Sequence, residues 1–246
     1  KNWNDAIKYA TEVIQAEPLA PKNDFPKIWV DNSDSEVVWK LARVIGDSRL
    51  GAAFYREAGG IVLYAPSSKM INLFNKTDDI RYTAYIKDDP SRVGPPPSIK
   101  SQYLVKKYVG GNSSYPGLTS VKLFRTGEMY LIRAEAEAEA NGATGLTNAA
   151  NDLNALRSAR IHNYAAQPFS SKQVLLENIY NERFKELAFE GHRFYDLKRR
   201  KAAVERLSQD AANTSGAVKL EPTAAQYCFP IPADEMAVNK NMTQNP

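Results

Sequence analysis

Residues 1–18 carry a hydrophobic pattern with the period of an α-helix. Apolar side chains recur every three or four residues and fall on one helical face: Trp3, Ala6, Ile7, Ala10, Val13 and Ile14. Pro18 predicts the end of this helix. Because a single amphipathic helix is not stable in water, we expect another surface to cover Trp3, Ile7 and Ile14. The spacing W-x-x-A-x-x-x-A is typical of the second helix of a helical-repeat unit.

Two more helices are predicted close together in the second half of the chain. Residues 120–141 are rich in the helix formers Ala and Glu and repeat small or apolar side chains along one face. Residues 146–161 follow the same period, after a short link that contains Gly142 and Gly145. A link this short makes the two helices antiparallel neighbours.

Residues 170–200 contain a further long helix with a cation on its apolar face. Ser170 and Gln173 have the spacing of a capping box at its start, and Gly191 is placed as a glycine at its C-terminal end. Arg183 lies within the apolar stripe. A buried guanidinium needs a carboxylate partner, because uncompensated desolvation costs roughly several kcal/mol.

Carboxylates near Arg183 allow both a structural and a catalytic interpretation. The candidate partners are Glu128 on an earlier helix and, on the same helix, Glu182, Glu186 and Glu190. Glu186, Glu190 and His192 could also form an acid–base group, but spacing along one helix shows neither converging geometry nor shifted pKa values. We therefore interpret Glu128, Arg183 and Glu190 as members of structural ion pairs and predict no catalytic residue.

Between residues 18 and 109 the pattern is irregular and rich in proline, glycine and aspartate. Runs of β-branched and aromatic side chains predict three short strands, at residues 36–43, 79–86 and 102–109. Residues 67–76 predict a short helix, and residues 18–35, 46–66 and 88–100 predict loops. Near the C-terminus, YCFPIP at residues 227–232 predicts an extended segment that packs on the core.

Composition argues against several classes of function. The chain has 32 basic and 28 acidic residues and a net charge of +4, spread along the sequence. Only LKRRK at residues 197–201 is concentrated, and cations there complement the end of a helix, so we predict no nucleic-acid partner. One cysteine, Cys228, and two histidines, His162 and His192, predict neither a disulfide nor a metal site, and we expect no cofactor. No run approaches the ~18 apolar residues of a membrane helix.

Three blocks of sequence stand out in the second half of the chain. They are LFRTGEMYLIRAEAEAEANG, then NDLNALRSARI with LLENIYNERFKELAFEGHRFYDLKR, and finally YCFPIPADEMAVNKNMTQNP. Together they resemble the C-terminal region of the RagB/SusD family of outer-membrane nutrient-binding lipoproteins. The resemblance covers essentially the whole chain. Residues 1–18 correspond to the end of a tetratricopeptide-like helical region, and residues 19–246 to the family's C-terminal domain. We expect the N-terminal half, with the family's lipidated cysteine, to be missing from this chain.

The resemblance implies a mainly α fold, in which tetratricopeptide-like helix pairs pack against a loop-rich region with a few short strands. It also implies a surface-exposed outer-membrane protein that is not an enzyme. Such a protein captures oligosaccharides, or other nutrients such as peptides, for import through a SusC-like TonB-dependent transporter. Its contact with the membrane would run through a lipid anchor that this chain does not contain.

Two other functions remain open. A helical-repeat scaffold that binds a protein partner would also explain the helix pairs. A glycoside hydrolase needs two carboxylates roughly 5–10 Å apart. Asp78 with Asp79, or Asp88 with Asp89, could contribute to such a pair, although adjacent acids in loops are usually solvated turn formers.

Sugar-binding residues are predicted in two stretches. The apolar face of a sugar packs on a flat aromatic ring, and its hydroxyls are held by neighbouring polar groups. Residues 25–32 offer Trp29, and residues 47–64 offer Arg49, Tyr55, Arg56 and Tyr64. Trp39 lies in the predicted strand at residues 36–43, so we expect it in the core.

Overall fold

Helices form most of the regular structure of the chain. The computed structural model describes residues 2–54, 64–92, 101–211 and 218–245. The helices are α1 (Trp3–Ala16), α2 (Phe25–Ile28), α3 (Gly51–Phe54), α4 (Ser68–Ile71), α5 (Ile80–Tyr85), α6 (Thr126–Ala140), α7 (Gly142–Arg160), α8 (Lys172–Glu186), α9 (His192–Arg200) and α10 (Ala233–Val238). The strands are β1 (Val37–Leu41), β2 (Ile86–Asp88), β3 (Tyr103–Val105), β4 (Val121–Arg125), β5 (Val204–Glu205) and β6 (Lys219–Leu220). The prediction of a mainly α fold with a few short strands is confirmed.

The chain folds as two units. The first comprises Lys1–Pro66 and Met70–Glu190, and the second comprises Ser67–Lys69 and Gly191–Pro246. The first unit contains the four longest helices of the described part of the chain and two of its two-stranded sheets, β1 with β4 and β2 with β3. The candidate functional site lies in this unit.

Helix α6 is the centre of the helical part of the first unit, since it packs against α1, α7 and α8. Its small side chains on this side, Ala134 and Ala138, are buried and permit a close approach of the neighbouring helices. The shared core consists of Leu131, Ala134, Ala138, Ala149, Leu153, Leu156, Leu175, Leu176 and Ile179. The short link at Gly142 joins α6 to α7, and the two helices pack against each other as the neighbours that the sequence predicted. Helix α7 begins four residues earlier than the predicted residue 146.

Helix α1 finds its partner within this chain. Its Ala10 is buried, Trp3 is half-buried, and α6 covers the helix. Arg133 on α6 donates from Nη1 to Thr11 Oγ1 over 3.1 Å. At the start of the helix, the side chain of Asn2 accepts a hydrogen bond from the backbone of Asp5. The surface expected to cover the apolar stripe is therefore supplied, in this chain, by α6.

The helix predicted at residues 120–141 begins as a strand. β4 pairs antiparallel with β1, and Arg125 at its end still has an extended backbone, with φ −136° and ψ 147°. Helix α6 starts only at Thr126. The predicted helix therefore began too early. Residues 121–125 pair with β1 and include Val121 and Phe124, which favour a strand.

The strand predicted at residues 79–86 is a helix, so that prediction is wrong. Asp79 caps α5, its side chain accepting a hydrogen bond from Arg81 N. The β-branched and aromatic composition of the segment favours a strand. Packing overrides this preference, because the helix turns Tyr82 and Tyr85 into the core and Arg81 toward buried carboxylates. Only Ile86–Asp88 is extended, pairing with β3.

The segment at residues 170–200 is two helices separated by a turn. The first, α8, is capped by Ser171, whose side chain accepts from Val174 N, and not by Ser170 as predicted. It ends at Glu186, and Gly191, with φ 85°, precedes α9 rather than ending α8. A side chain from a distant part of the sequence stabilises this turn: Lys107 Nζ donates a hydrogen bond to Ala188 O over 2.9 Å.

The second unit is built on α9 and the short β5–β6 pair. The ring of Phe194 packs against Tyr227 and Phe229, at centroid distances of 5.4 Å and 4.9 Å. Tyr227 also donates from its hydroxyl to Ala202 O over 2.7 Å. The YCFPIP segment therefore packs on α9 of its own unit, and Phe229 remains 63% exposed.

Candidate functional site

A network of buried ion pairs joins the helices to the β1–β4 ribbon. At its centre, Glu186 on α8 contacts Arg81 (2.8 Å), Arg125 (2.9 Å) and Arg160 (3.1 Å). Burial alone would raise the pKa of Glu186, but Arg160, Arg125 and Arg81 outweigh it and hold this pKa well below its ordinary value. Glu186 is therefore an anion fixed by three arginines.

Glu36 anchors the start of β1 in the same network. Its carboxylate lies 2.7 Å from Arg125 Nη1 and 2.6 Å from Arg160 Nη2 and accepts a hydrogen bond from Ala20 N. The residue has a left-handed φ of 59°, which is uncommon for a side chain other than glycine. Glu36 precedes β1 and Arg125 is the last residue of β4, so their ion pair ties the two strands of the ribbon to the buried network.

Glu190 forms the edge of the network nearest to the aromatic core. Lys107 Nζ lies 2.6 Å from Glu190 Oε1, and Arg125 binds both carboxylate oxygens, at 2.7 Å and 3.0 Å. Burial lowers the pKa of Lys107 to about 7, against the opposing effect of Glu190. Lys107 also lies over the rings of Trp29 and Tyr85.

Asp79 and Glu182 complete the network around Arg81. Arg81 binds Asp79 through Nε and Nη2, each at 2.8 Å, and Glu182 through Nη1 at 2.7 Å. Arg157 lies 2.7 Å from the other oxygen of Glu182. Burial would raise the pKa of Glu182, but Lys185, Arg81 and Arg157 lower it to about 2.

The predicted structural ion pairs involve these residues as follows. Arg183 Nη2 lies 2.8 Å from Glu128 Oε1, with both side chains less than a tenth exposed. Glu190 pairs with Lys107 and Arg125 rather than with Arg183. In the two acidic pairs considered for a hydrolase, Asp79 is buried against Arg81, while Asp88 accepts a hydrogen bond from Tyr82. All of these carboxylates are held by groups of the protein itself.

Trp29 is a core residue, so the prediction that it presents a ring to a sugar is wrong. The side chain is 2% exposed. Phe25 and Tyr85 meet it edge to face, with centroid distances of 5.9 Å and 5.4 Å, and Lys107 Nζ lies 4.0 Å from its centroid. The ring is therefore enclosed by the protein, and a sugar cannot stack on it.

Trp39 lies at the surface, so the prediction that it belongs to the core is wrong. It is 55% exposed and stacks on Phe124, which is 48% exposed, with a centroid distance of 5.9 Å and an interplanar angle of 24°. The pairing of β1 with β4 is irregular on both sides of Trp39. Such a bulge shifts the alternation of side chains, which turns this ring outward.

The two stretches predicted to bind sugar converge on one loop, residues 108–118. Gly51 donates to Gly117 O over 3.0 Å, and a Cβ on Gly51 would lie only 1.9 Å from Tyr108 O. A Cβ on Gly111 would lie 2.7 Å from Val30 O. The loop therefore packs directly against both stretches: Gly51 lies against Tyr108, and Val30 lies against Gly111. In each contact only a glycine leaves enough room for the other backbone.

A cleft of about 530 Å³ opens where the first stretch meets this loop. It combines polar groups with a few apolar ones and is lined by Val30, Asp31, Asn32, Arg43, Gly111, Asn112 and Leu118. Sequence reasoning did not single out Arg43 or Asn112. The composition GGNSSYPG at residues 110–117 marks a loop that could carry polar contacts. Arg43 is the last residue of the predicted strand, and nothing in the pattern distinguishes it from a solvated arginine at a strand end.

The second stretch borders the same loop with its polar and aromatic side chains. Arg49 is exposed, and its Nη1 lies 3.4 Å from Pro116 O. Tyr64 is 63% exposed, and its ring lies 5.9 Å from that of Phe54. Tyr55 and Arg56 lie outside the described residues.

Two general features bear on what the site can hold. The described residues contain no group of three or more histidine, cysteine, aspartate and glutamate side chains that could hold a metal ion. Among the helices of the described ranges, none combines the length and apolar character needed to cross a membrane.

Comparison with known proteins gives a consistent family assignment. The family model of the SusD family matches residues 95–246, more than half of the chain. SusD-like protein P2 from Formosa agariphila is 32% identical over 162 residues, which are 61% of this chain and 30% of that protein.

Solved structures share the fold over nearly the whole chain. A SusD superfamily protein from Bacteroides thetaiotaomicron superimposes with a TM-score of 0.83 at 26% identity, covering 99% of this chain and 56% of that protein. Surface glycan-binding protein A from Bacteroides uniformis gives a TM-score of 0.71 at 18% identity, again covering 99% of this chain and 56% of that one. This chain therefore spans about half the length of the structural relatives, or less than a third of the curated one. Because the family model matches more than half of its residues, the chain belongs to the SusD family.

Proposed function

We propose that the protein captures oligosaccharides, or other nutrients, at the cell surface for import through a SusC-like TonB-dependent transporter. The observation that carries this proposal is the convergence of two separate stretches on the loop at residues 108–118, beside a polar cleft of about 530 Å³. A sugar needs this combination of amide, guanidinium and aromatic groups on firmly packed backbone. Membership of the SusD family supports the same function.

The proposed ligand contacts are drawn from the second stretch and from the cleft. Tyr64 offers an exposed ring for the apolar face of a sugar, and Arg49 offers a guanidinium beside the loop at residues 108–118. Tyr55 and Arg56 remain proposed contacts on the sequence alone. Asn32 and Asn112 offer amides for hydroxyl groups. Trp29 is buried in the core and is not part of the proposal.

Calorimetry with a panel of oligosaccharides, using the intact protein, tests the proposal. Tyr64→Ala should weaken binding by roughly 1–3 kcal/mol, because a stacking ring is lost. Tyr9→Ala is the matched control, since Tyr9 is a similarly exposed tyrosine (57%) on α1 and belongs to neither predicted stretch. Equal affinities of the wild type and Tyr64→Ala, with folding intact, would move the site elsewhere.

Binding without chemistry is the second part of the proposal. The buried carboxylates described above are held by arginines and lysines, so they are unavailable for general acid–base catalysis. Incubation of the protein with bound glycans should release no new reducing ends. Measurable release of sugar would establish a hydrolase instead.

The proposed location is the outer face of the outer membrane, where a lipid anchor holds the protein. Cell fractionation and protease treatment of intact cells would test it, and co-purification with a TonB-dependent transporter would test the partner. Protection of the protein from added protease in intact cells would contradict a surface location.

A protein-binding scaffold is the second candidate function. It is favoured by the apolar outer face of the ribbon, where five side chains are more than a third exposed: Val38, Trp39, Leu41, Leu123 and Phe124. Apolar patches of this kind often mark protein contacts. If this face alone carries the function, Trp39→Asp should abolish partner binding while oligosaccharides bind to neither the variant nor the wild type.

A further inference from the structure

Arg43 is the side chain of the cleft whose charge has no counterpart in the described part of the chain. It is half-buried, and its Nε is buried without a hydrogen-bond partner. It also takes part in none of the ion pairs formed among the described residues. A buried guanidinium donor without an acceptor is unfavourable, because it has lost water and gained nothing in exchange.

The carboxylate that shares the cleft with Arg43 is already neutralised. Asp31 accepts hydrogen bonds from Ser120 N over 2.7 Å and from Lys122 Nζ, which pairs with it electrostatically. Although burial would raise the pKa of Asp31, these contacts lower it, so the group stays ionised beside Lys122. Lys40, on the adjoining strand, is paired with Asp34. Among the lining residues that the structure describes, Arg43 therefore leaves the cleft with one uncompensated positive charge.

The remaining walls of the cleft suit a polar ring better than an extended apolar group. Asn32 and Asn112 place amides at its edge, and Val30 and Leu118 supply limited apolar surface. The backbone of Gly111 comes so close to Val30 that no larger side chain fits, which fixes the shape of the cleft on that side. A guanidinium in such a setting binds a planar or tetrahedral oxyanion through two parallel hydrogen bonds.

We infer that this cleft binds an anionic sugar residue, whose carboxylate or sulfate group pairs with Arg43. The inference rests on the proposed function, in that the ligand is taken to be a saccharide. It adds the class of saccharide: uronic acids or sulfate esters rather than neutral sugars. The amides of Asn32 and Asn112 then hold ring hydroxyls, while Arg43 determines the preference for charge.

The test compares three oligosaccharides of similar length by calorimetry with the intact protein. Oligogalacturonate carries carboxylates, an oligosaccharide of a sulfated galactan carries sulfate esters, and maltohexaose is neutral. We expect at least tenfold tighter binding of one or both acidic ligands than of maltohexaose, and the preferred acidic ligand identifies the group bound. This preference should decrease as sodium chloride is raised, since salt screens the pairing.

Substitution of Arg43 separates charge recognition from general binding. Arg43→Gln should weaken binding of the acidic ligand about tenfold or more, because a hydrogen bond to a charged group is lost. The variant should bind maltohexaose with the same affinity as the wild type. Arg206→Gln, which removes an exposed arginine of the second unit, is the control for net charge and should leave all affinities unchanged. Circular dichroism checks that both variants are folded.

The possible failures are distinguishable. If maltohexaose binds as tightly as the acidic ligands, or if Arg43→Gln weakens all three ligands equally, the inference about charge is wrong and the proposed function stands. If no saccharide of any class binds, the inference is wrong, and so is the saccharide part of the proposed function.

Discussion

Gly127 lies directly against the carboxylate of Glu186: a Cβ atom on residue 127 would stand 2.7 Å from Glu186 Oε1 and 3.1 Å from Arg160 Nη2. Both of these side chains are fully buried, so neither can move aside without breaking an ion pair. The first turn of α6 therefore needs glycine because of a charge on α8. This contact explains a glycine at a position where helix propensity would favour alanine.

Gly127→Ala should consequently destabilise the protein. In an exposed helix this substitution stabilises by about 1 kcal/mol, whereas here we expect a loss of about 1–3 kcal/mol from overpacking. Urea unfolding followed by circular dichroism measures the difference. Asn148→Ala, at an exposed position of α7, is the control and should show no loss. A Gly127→Ala variant as stable as the wild type would mean that the network is looser than the contact implies.

Arg183→Ala should lower the free energy of unfolding by about 3–5 kcal/mol, because it leaves the buried carboxylate of Glu128 without this partner. The matched control is Lys172→Ala. Its pair with Glu139 is 2.7 Å long but 45% and 27% exposed, so its loss should cost less than about 1 kcal/mol. Similar losses in the two variants would show that burial does not strengthen the Arg183 pair.

The two tryptophans should respond in opposite ways to truncation. Trp29→Ala removes a ring packed on all sides and should cost about 3–5 kcal/mol. Trp39→Ala removes a ring that mainly contacts Phe124 at the surface, and should cost about 1 kcal/mol or less. Thermal unfolding of both variants is sufficient to compare them. The reverse order of stability would contradict the assignment of Trp29 to the core and of Trp39 to the surface.

Lys107 should give the protein a distinctive pH dependence. Its pKa is about 7 in the folded state, whereas the ordinary pKa of a solvated lysine is 10.5, so between these values the unfolded chain binds a proton that the folded chain does not. Stability from this group therefore rises with pH above about 7, by up to about 1.4 kcal/mol per pH unit. Lys107→Met should lose this rise between pH 7 and 9.5.

The control for that measurement is Lys106→Met, at the exposed neighbouring position, where the wild-type pH profile should be preserved. The comparison uses urea unfolding at half-unit pH steps. Parallel profiles of the wild type and Lys107→Met would be evidence that Lys107 stays charged throughout, held by Glu190 and the rings of Trp29 and Tyr85.

The sequence predicted the long helices because their cores repeat with one period over many turns. Leu131, Ala134 and Ala138 in α6 fall where the helical spacing places them. The short elements could not be predicted in the same way. α5 is six residues long, and its conformation depends on Arg81 reaching carboxylates that lie more than a hundred residues away. No local pattern carries that information.

The candidate site was predicted only in outline for a similar reason. Residues 25–32 and 47–64 were selected by composition, and composition cannot tell a buried ring from an exposed one. Trp29 is buried because Lys107 and Tyr85 come to it from a distant part of the chain, and Trp39 is exposed because the pairing of β1 with β4 is irregular. Arg43 stands out only once Asp31 is known to be paired with Lys122.

The three arginines on Glu186 also bear on how the protein unfolds. They are 105, 61 and 26 residues away in sequence and belong to α5, β4 and α7. If any one of these segments detached alone, the carboxylate would remain buried with too little compensating charge. Local unfolding of α5, β4 or α7 alone therefore costs extra free energy. We expect these segments to unfold together in a single cooperative step. Amide hydrogen exchange would then report one common opening free energy for the buried amides of α5, α7 and α8.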